Sequence, residues 1–129
     1  MPHQIIEYSA NLEADLDIEK LVETMHETAV GIDALPIGGI RTRAARRDVY
    51  RIADGHEDNT FIHVSLRLAP RPAEVKKDAG ERLFQALQDF VEPVFEKRPL
   101  ALTLEIQEID SDFRWKHNNI RDYLAKRNG

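Results

Sequence analysis

The chain contains no cysteine among its 129 residues, which excludes a disulfide framework, a thiol nucleophile and a thiolate metal site. No apolar run approaches the ~20 residues needed to cross a bilayer, and no basic leader with an apolar middle opens the sequence. A soluble cytoplasmic protein with no membrane partner is therefore the expectation. Glycine is scarce, at six residues, and the richest stretch, GIDALPIGGI, does not match a phosphate-binding loop. The histidines stand at 3, 26, 56, 63 and 117 with no HExxH or other metal-ligand spacing, so no metal site is expected. Asp54, Glu57 and Asp58 make an acidic turn without the ordered ligands of a calcium loop. Ser9 and Ser65 have no recognisable His/Asp partners. Basic residues are outnumbered, 18 to 23, for a net charge of −5, which argues against a nucleic-acid partner, since phosphate contacts need a broad basic surface.

What is present is a repeating pattern. PHQIIEYS reads as a strand over about 2–9. In LDIEKLVETMHETAVGIDAL, apolar residues at Ile18, Leu21, Val22, Met25, Ala29 and Ile32 form a helical stripe, with Asp15 or Asp17 available as N-cap. LPIGGI punctuates, and IRTRAARR follows as a second strand. The ADGHEDN turn, signalled by Asp54-Gly55, leads into FIHVSLRLA, which alternates with Ile62, Val64, Leu66 and Leu68 on one face and His63, Ser65 and Arg67 on the other. VKKDAGERLFQALQDFVEPVF carries a second helical stripe, which Pro93 should kink or end. LALTLEIQEI alternates again, with Leu100, Leu102, Leu104 and Ile106 facing inward, and FRWKHNNIRDYLAKRNG holds a last short helix.

This order predicts a single α+β domain, residues 1–129, built from two consecutive βαβ halves (about 1–56 and 57–129). Right-handed crossovers would give a four-stranded sheet with both helices on one face. The other face needs cover, and another subunit is the simplest cover, so an oligomer is expected.

Two features invite chemistry. RTRAARRDVYR places five arginines between 41 and 51 and no lysine. Arginine suits two-point recognition of carboxylates, and Arg41, Arg43 and Arg47 share strand parity. The plainer reading is an edge strand protected by charge. The second feature is Pro2. Removal of Met1 would leave a secondary amine at a strand end, and burial beside arginines would lower its pKa from the usual ~7.7–8.0 of a terminal amine. Such a base could take a proton from an enol.

MPHQIIEYS, LPIGGIRTR, ADG, FIHVSLRL, AGERLF, ALTLEIQEI and KHNNIRDYL, in this order over nearly the whole chain, resemble the 5-carboxymethyl-2-hydroxymuconate isomerases of the tautomerase superfamily. The resemblance implies a tautomerase-like fold, a homotrimer, no metal, no organic cofactor and a processed N-terminal proline as base. Carried over by residue, Pro2 matches the catalytic proline, Arg41 in GGIRTR and Arg71 in APRP match arginines near the substrate, and Trp115 matches an aromatic wall. The implied substrate is a small polycarboxylate dienol from aromatic-compound breakdown. One departure concerns Arg71: Pro70 and Pro72 flank it where a glycine-containing turn is expected. The alternatives are a tautomerase of the same fold acting on another enol or keto acid, or a non-catalytic trimeric binding protein.

Overall fold

The computed structural model describes residues 2–128; Met1, whose removal the proposed chemistry requires, lies outside them. The alternating segments become strands β1 (His3–Ser9), β2 (Arg41–Arg47), β3 (Thr60–Leu68) and β4 (Leu100–Glu108). The 3.6-period segments become α1 (Ile18–Val30) and α2 (Ala73–Phe95), and the tail forms α3 (Ile120–Asn128). No helix among them is long and apolar enough to cross a membrane.

The strands form one sheet in the order β2-β1-β3-β4. β1 runs parallel to β2 and β3 parallel to β4, while β1 and β3 are antiparallel. This is the expected pair of βαβ units laid side by side. The helix-facing positions of the central strands, Ile6 and Tyr8 on β1 and Ile62, Val64, Leu66 and Leu68 on β3, are buried. They meet Leu21, Met25 and Ala29 of α1 and Ala79, Leu83, Leu87 and Val91 of α2 in one core. Leu100, Leu102, Leu104 and Ile106 of the edge strand β4 pack against the same core but are only partly buried, because among the described residues no strand covers the outer side of β4.

Local signals act where the sequence placed them. Asp17 caps α1, its carboxylate accepting from the Lys20 N–H at 3.2 Å, an arrangement that satisfies one of the free donors of a first turn. α2 passes through Pro93 and stops at Phe95; Val91 and Val94 on its buried side hold this last turn in place although the proline contributes no N–H. At the turn, Gly55 has φ +84°, a left-handed conformation that glycine adopts without steric cost. The Asp54 carboxylate accepts from the His56 N–H and the Asn59 side-chain amide.

The topology has one consequence for function. β1 and β2 begin, and β3 and β4 finish, at the same end of the sheet. The loops there are 31–40, 69–72 and 109–119, so segments distant in sequence converge beside Pro2.

Leu83, fully buried, should lose about 2–5 kcal/mol of stability on Leu83→Ala, read by urea unfolding. Val49→Ala, at a site 96% exposed, should stay within about 0.5 kcal/mol of the parent.

Candidate active site

Pro2 is buried and immediately precedes β1. Its carbonyl accepts from the Arg41 N–H at 3.1 Å, the first rung of the β1–β2 ladder. That bond ties Pro2 to the first residue of the arginine-rich strand.

Register then sorts the arginines. In the parallel pair, Gln4 lies beside Thr42 and His3 beside Arg41. The Gln4 side-chain amide donates to Thr42 Oγ1 at 3.2 Å and to the Met25 carbonyl of α1 at 3.2 Å, so this parity faces the helices. Arg41, Arg43 and Arg47 take the other parity and share the open face with His3 and Glu7. Arg41 Nη1 lies 3.2 Å from His3 Nε2, and Arg43 Nη1 lies 3.3 Å from His3 Nδ1. Arg47 Nε donates to Glu7 Oε2 at 2.6 Å. Arg46 turns to the other side and pairs with Glu13 and Asp48. Edge protection by charge thus describes Arg46 and Arg47, which have carboxylate partners. Arg41 and Arg43 have none among the described residues.

Arg71 sits just before the Pro72 N-cap of α2, at the same end of the sheet. Its guanidinium donates to the carbonyls of Ala69 at 3.2 Å and Pro70 at 3.1 Å, and more distantly to that of Ala34 at 3.4 Å. Its backbone N–H donates to Glu108 Oε2 at 3.1 Å. That bond, followed by the Lys76 ammonium, holds the Glu108 carboxyl below the usual carboxylate range. Arg71 therefore clasps the loop after α1 to the end of β3, its side chain turned back on the backbone carbonyls around the two prolines. Trp115 is 85% exposed, in the irregular stretch between β4 and α3. The tail does return to this end: α3 packs on the Ile37–Gly39 turn, and the Asn118 side chain donates to the Gly38 carbonyl at 3.1 Å. A β-carbon at Gly38 would stand 3.5 Å from Arg121, which is ordinary contact. Within one chain, then, Pro2 and Arg41 are adjacent, Arg71 occupies a neighbouring loop, and Trp115 lies at the surface.

His3 was not singled out from sequence, yet it is the hub of the open face. Burial, then Arg41, Arg43 and Arg67, hold its imidazole below the ordinary 6.5. Arg67 stands directly across from it on β3. Strand parity pointed to the Arg41–Arg43 pair, but only the β1–β3 register brings in Arg67.

Comparison with known proteins agrees with this architecture. The family model for 5-carboxymethyl-2-hydroxymuconate isomerase matches residues 2–124. The Escherichia coli 5-carboxymethyl-2-hydroxymuconate Delta-isomerase is 34% identical over 121 residues, 93% of this chain and 96% of that protein. The crystal structure of a 5-carboxymethyl-2-hydroxymuconate isomerase from Deinococcus radiodurans R1 superposes with a TM-score of 0.88 at 36% identity, covering 95% of this chain and 93% of the other. A second crystal structure, of a 5-carboxymethyl-2-hydroxymuconate delta-isomerase, gives a TM-score of 0.87 at 28% identity over 96% and 93% of the two chains.

The depressed pKa of His3 has a stability consequence of definite sign. The unfolded chain takes up this proton near 6.5 and the folded chain only at lower pH, so the contribution is complete above 6.5 and is lost on acidification below it. NMR titration should place the His3 midpoint below 6.5, and His3→Gln should flatten the acid-side fall in unfolding free energy. A midpoint at or above 6.5 would contradict the geometry.

Proposed function

The chain belongs to the 5-carboxymethyl-2-hydroxymuconate isomerase family, and on that premise we propose that it converts 5-carboxymethyl-2-hydroxymuconate to its conjugated 2-oxo isomer, with the Pro2 amine as base and no cofactor. The supporting observation is the Arg41 N–H donating to the Pro2 carbonyl, which places the residue after Met1 next to an arginine that has no carboxylate partner among the described residues.

The chemistry follows from the groups. With Met1 removed, Pro2 carries a secondary amine; retained, Met1 would make that nitrogen an amide with no usable basicity. The neutral amine takes the proton of the substrate's 2-hydroxyl, electron density moves along the diene, and a proton is returned to a distant carbon, leaving a conjugated ketone. No atom is gained or lost. Arg41 holds a substrate carboxylate and stabilises the charge of the intervening dienolate, the kind of directed electrostatic interaction that dominates many catalysed reactions. Neighbouring guanidiniums and burial both disfavour the ammonium form, so the amine stays available as a base near neutral pH.

The assembly completes this reading as a homotrimer. Phe113 and Trp115 are 74% and 85% exposed, a feature suited to burial against a second copy. A neighbouring subunit would then bring Trp115 to a pocket it does not line in its own chain, where it would exclude water. Arg71, freed from part of its backbone clasp or acting across the interface, would take another carboxylate.

Pro2→Ala with Met1 still removed should lower kcat about 10²-fold or more, within the range of general-base catalysis, and a form retaining Met1 should be inactive. Isomerisation unchanged in either would contradict the base assignment. Sedimentation equilibrium should give a mass three times that of the chain.

A further inference from the structure

The open face of the sheet carries an excess of positive charge that the protein itself does not neutralise. Its charged positions are Arg41, Arg43 and Arg47 on β2, Glu7 on β1, Arg67 on β3 and Glu105 on β4, placed by strand register. Both carboxylates are engaged. Glu7 is taken by Arg47 at 2.6 Å, and Glu105 Oε1 accepts from the Gln107 amide at 3.0 Å and meets His63 Nε2 at 3.2 Å. Arg41, Arg43 and Arg67 are left without a carboxylate among the described residues, whereas Arg46, Arg47, Arg82 and Arg98 each have one. A chain with a net charge of −5 has acids to spare, and this corner has been kept free of them.

His3 sharpens the point. Guanidinium groups donate and cannot accept, and a neutral imidazole has one accepting nitrogen. Arg41 and Arg43 stand 3.2 and 3.3 Å from its two ring nitrogens, so only one of these contacts is a hydrogen bond and the other sets N–H against N–H. Three guanidiniums and an imidazole crowd one corner with donors that have no acceptor. An oxyanion seated over them would supply those acceptors, and Arg meets carboxylate oxygens two at a time.

We propose that His3, Arg41, Arg43 and Arg67 form one anion seat for a small polycarboxylate, in which Arg43 and Arg67 take the carboxylate farthest from the reacting enol and so favour tricarboxylates over dicarboxylates. This deepens the isomerase reading and rests on it for the link to Pro2: 5-carboxymethyl-2-hydroxymuconate carries three carboxylates, two from the muconate frame and one from the carboxymethyl arm. It also gives the third carboxylate a cationic partner that does not depend on Arg71, whose guanidinium is occupied with backbone carbonyls.

The test has a binding arm and a turnover arm. Tricarballylate, a saturated tricarboxylate with no enol, and glutarate, a dicarboxylate, are titrated into the full protein by calorimetry, with the His3 ring resonances followed by NMR. Tricarballylate should bind about tenfold or more tighter than glutarate, the scale of one charge-assisted hydrogen-bonding partner, and should shift the His3 signals. Arg43→Gln and Arg67→Gln should each shrink that ratio. Arg46→Gln, whose guanidinium is already paired with Glu13 and Asp48, should leave it unchanged. In turnover, Arg67→Gln should raise KM for 5-carboxymethyl-2-hydroxymuconate about tenfold more than KM for 2-hydroxymuconate, which lacks the third carboxylate. An unmoved His3 signal, a tri-to-dicarboxylate ratio that survives Arg43→Gln and Arg67→Gln, or an equal fall with Arg46→Gln would overturn the seat. Selective tricarballylate binding by a protein that turns over neither dienol would support the seat while removing the isomerase reading.

Discussion

The hydrogen bond from the Arg41 N–H to the Pro2 carbonyl opens the parallel ladder of β1 and β2, and the rest of the site follows from the register it sets. A slip of one residue would exchange the two faces of β1. Gln4, Ile6 and Tyr8 would leave the core, and His3 would leave the gap between Arg41 and Arg43. The core beneath the sheet therefore fixes more than stability. Burying Ile6 and its partners is what keeps Pro2 in register with Arg41 at the start of the ladder.

The two faces of the sheet divide the work. Toward the helices the strands are apolar, apart from Gln4, fully buried, whose amide joins β2 to the Met25 carbonyl of α1. Its Oε1 is buried with no protein partner among the described residues, an arrangement that ordinarily costs stability. Toward the open side the strands carry charge, part of it paired and part of it not. Arg46, Arg47 and Arg98 are held by carboxylates and serve the fold. Arg41, Arg43 and Arg67 are held by none among the described residues and leave binding energy available for an anionic ligand.

Much of this was legible in the sequence because it rests on local rules. Period-two alternation marked FIHVSLRLA and LALTLEIQEI, a 3.6 period marked both long helices, Asp15 and Asp17 both stood where a cap belongs and Asp17 is the one used, and Asp54-Gly55 marked the turn. The pairing of two βαβ units followed from element order. What was not legible depends on contacts between distant elements. Nothing in FIHVSLRL says that Arg67 faces His3, since that needs the antiparallel β1–β3 register. The burial of Gln4 has no local signature either, since its partners are the Met25 carbonyl of α1 and Thr42 of β2. The Arg71 side chain turns back on the carbonyls of Ala34, Ala69 and Pro70, a local bond that becomes visible only once loop 31–40 has come beside it. Trp115 lies open at the surface of the single chain, where, among the described residues, no contact between distant elements assigns it a place.

The proposed chemistry turns on the proton affinity that the Pro2 nitrogen has once Met1 is removed. With protein whose intact mass shows that Met1 is gone, ¹⁵N-proline labelling and an NMR titration of the Pro2 amine give that value directly. A midpoint below the ordinary terminal-amine range of roughly 7.7–8.0 is expected, because burial and the adjacent arginines both oppose the ammonium form. A midpoint within or above that range would mean an amine mostly protonated at neutral pH, and Pro2 would not be the base.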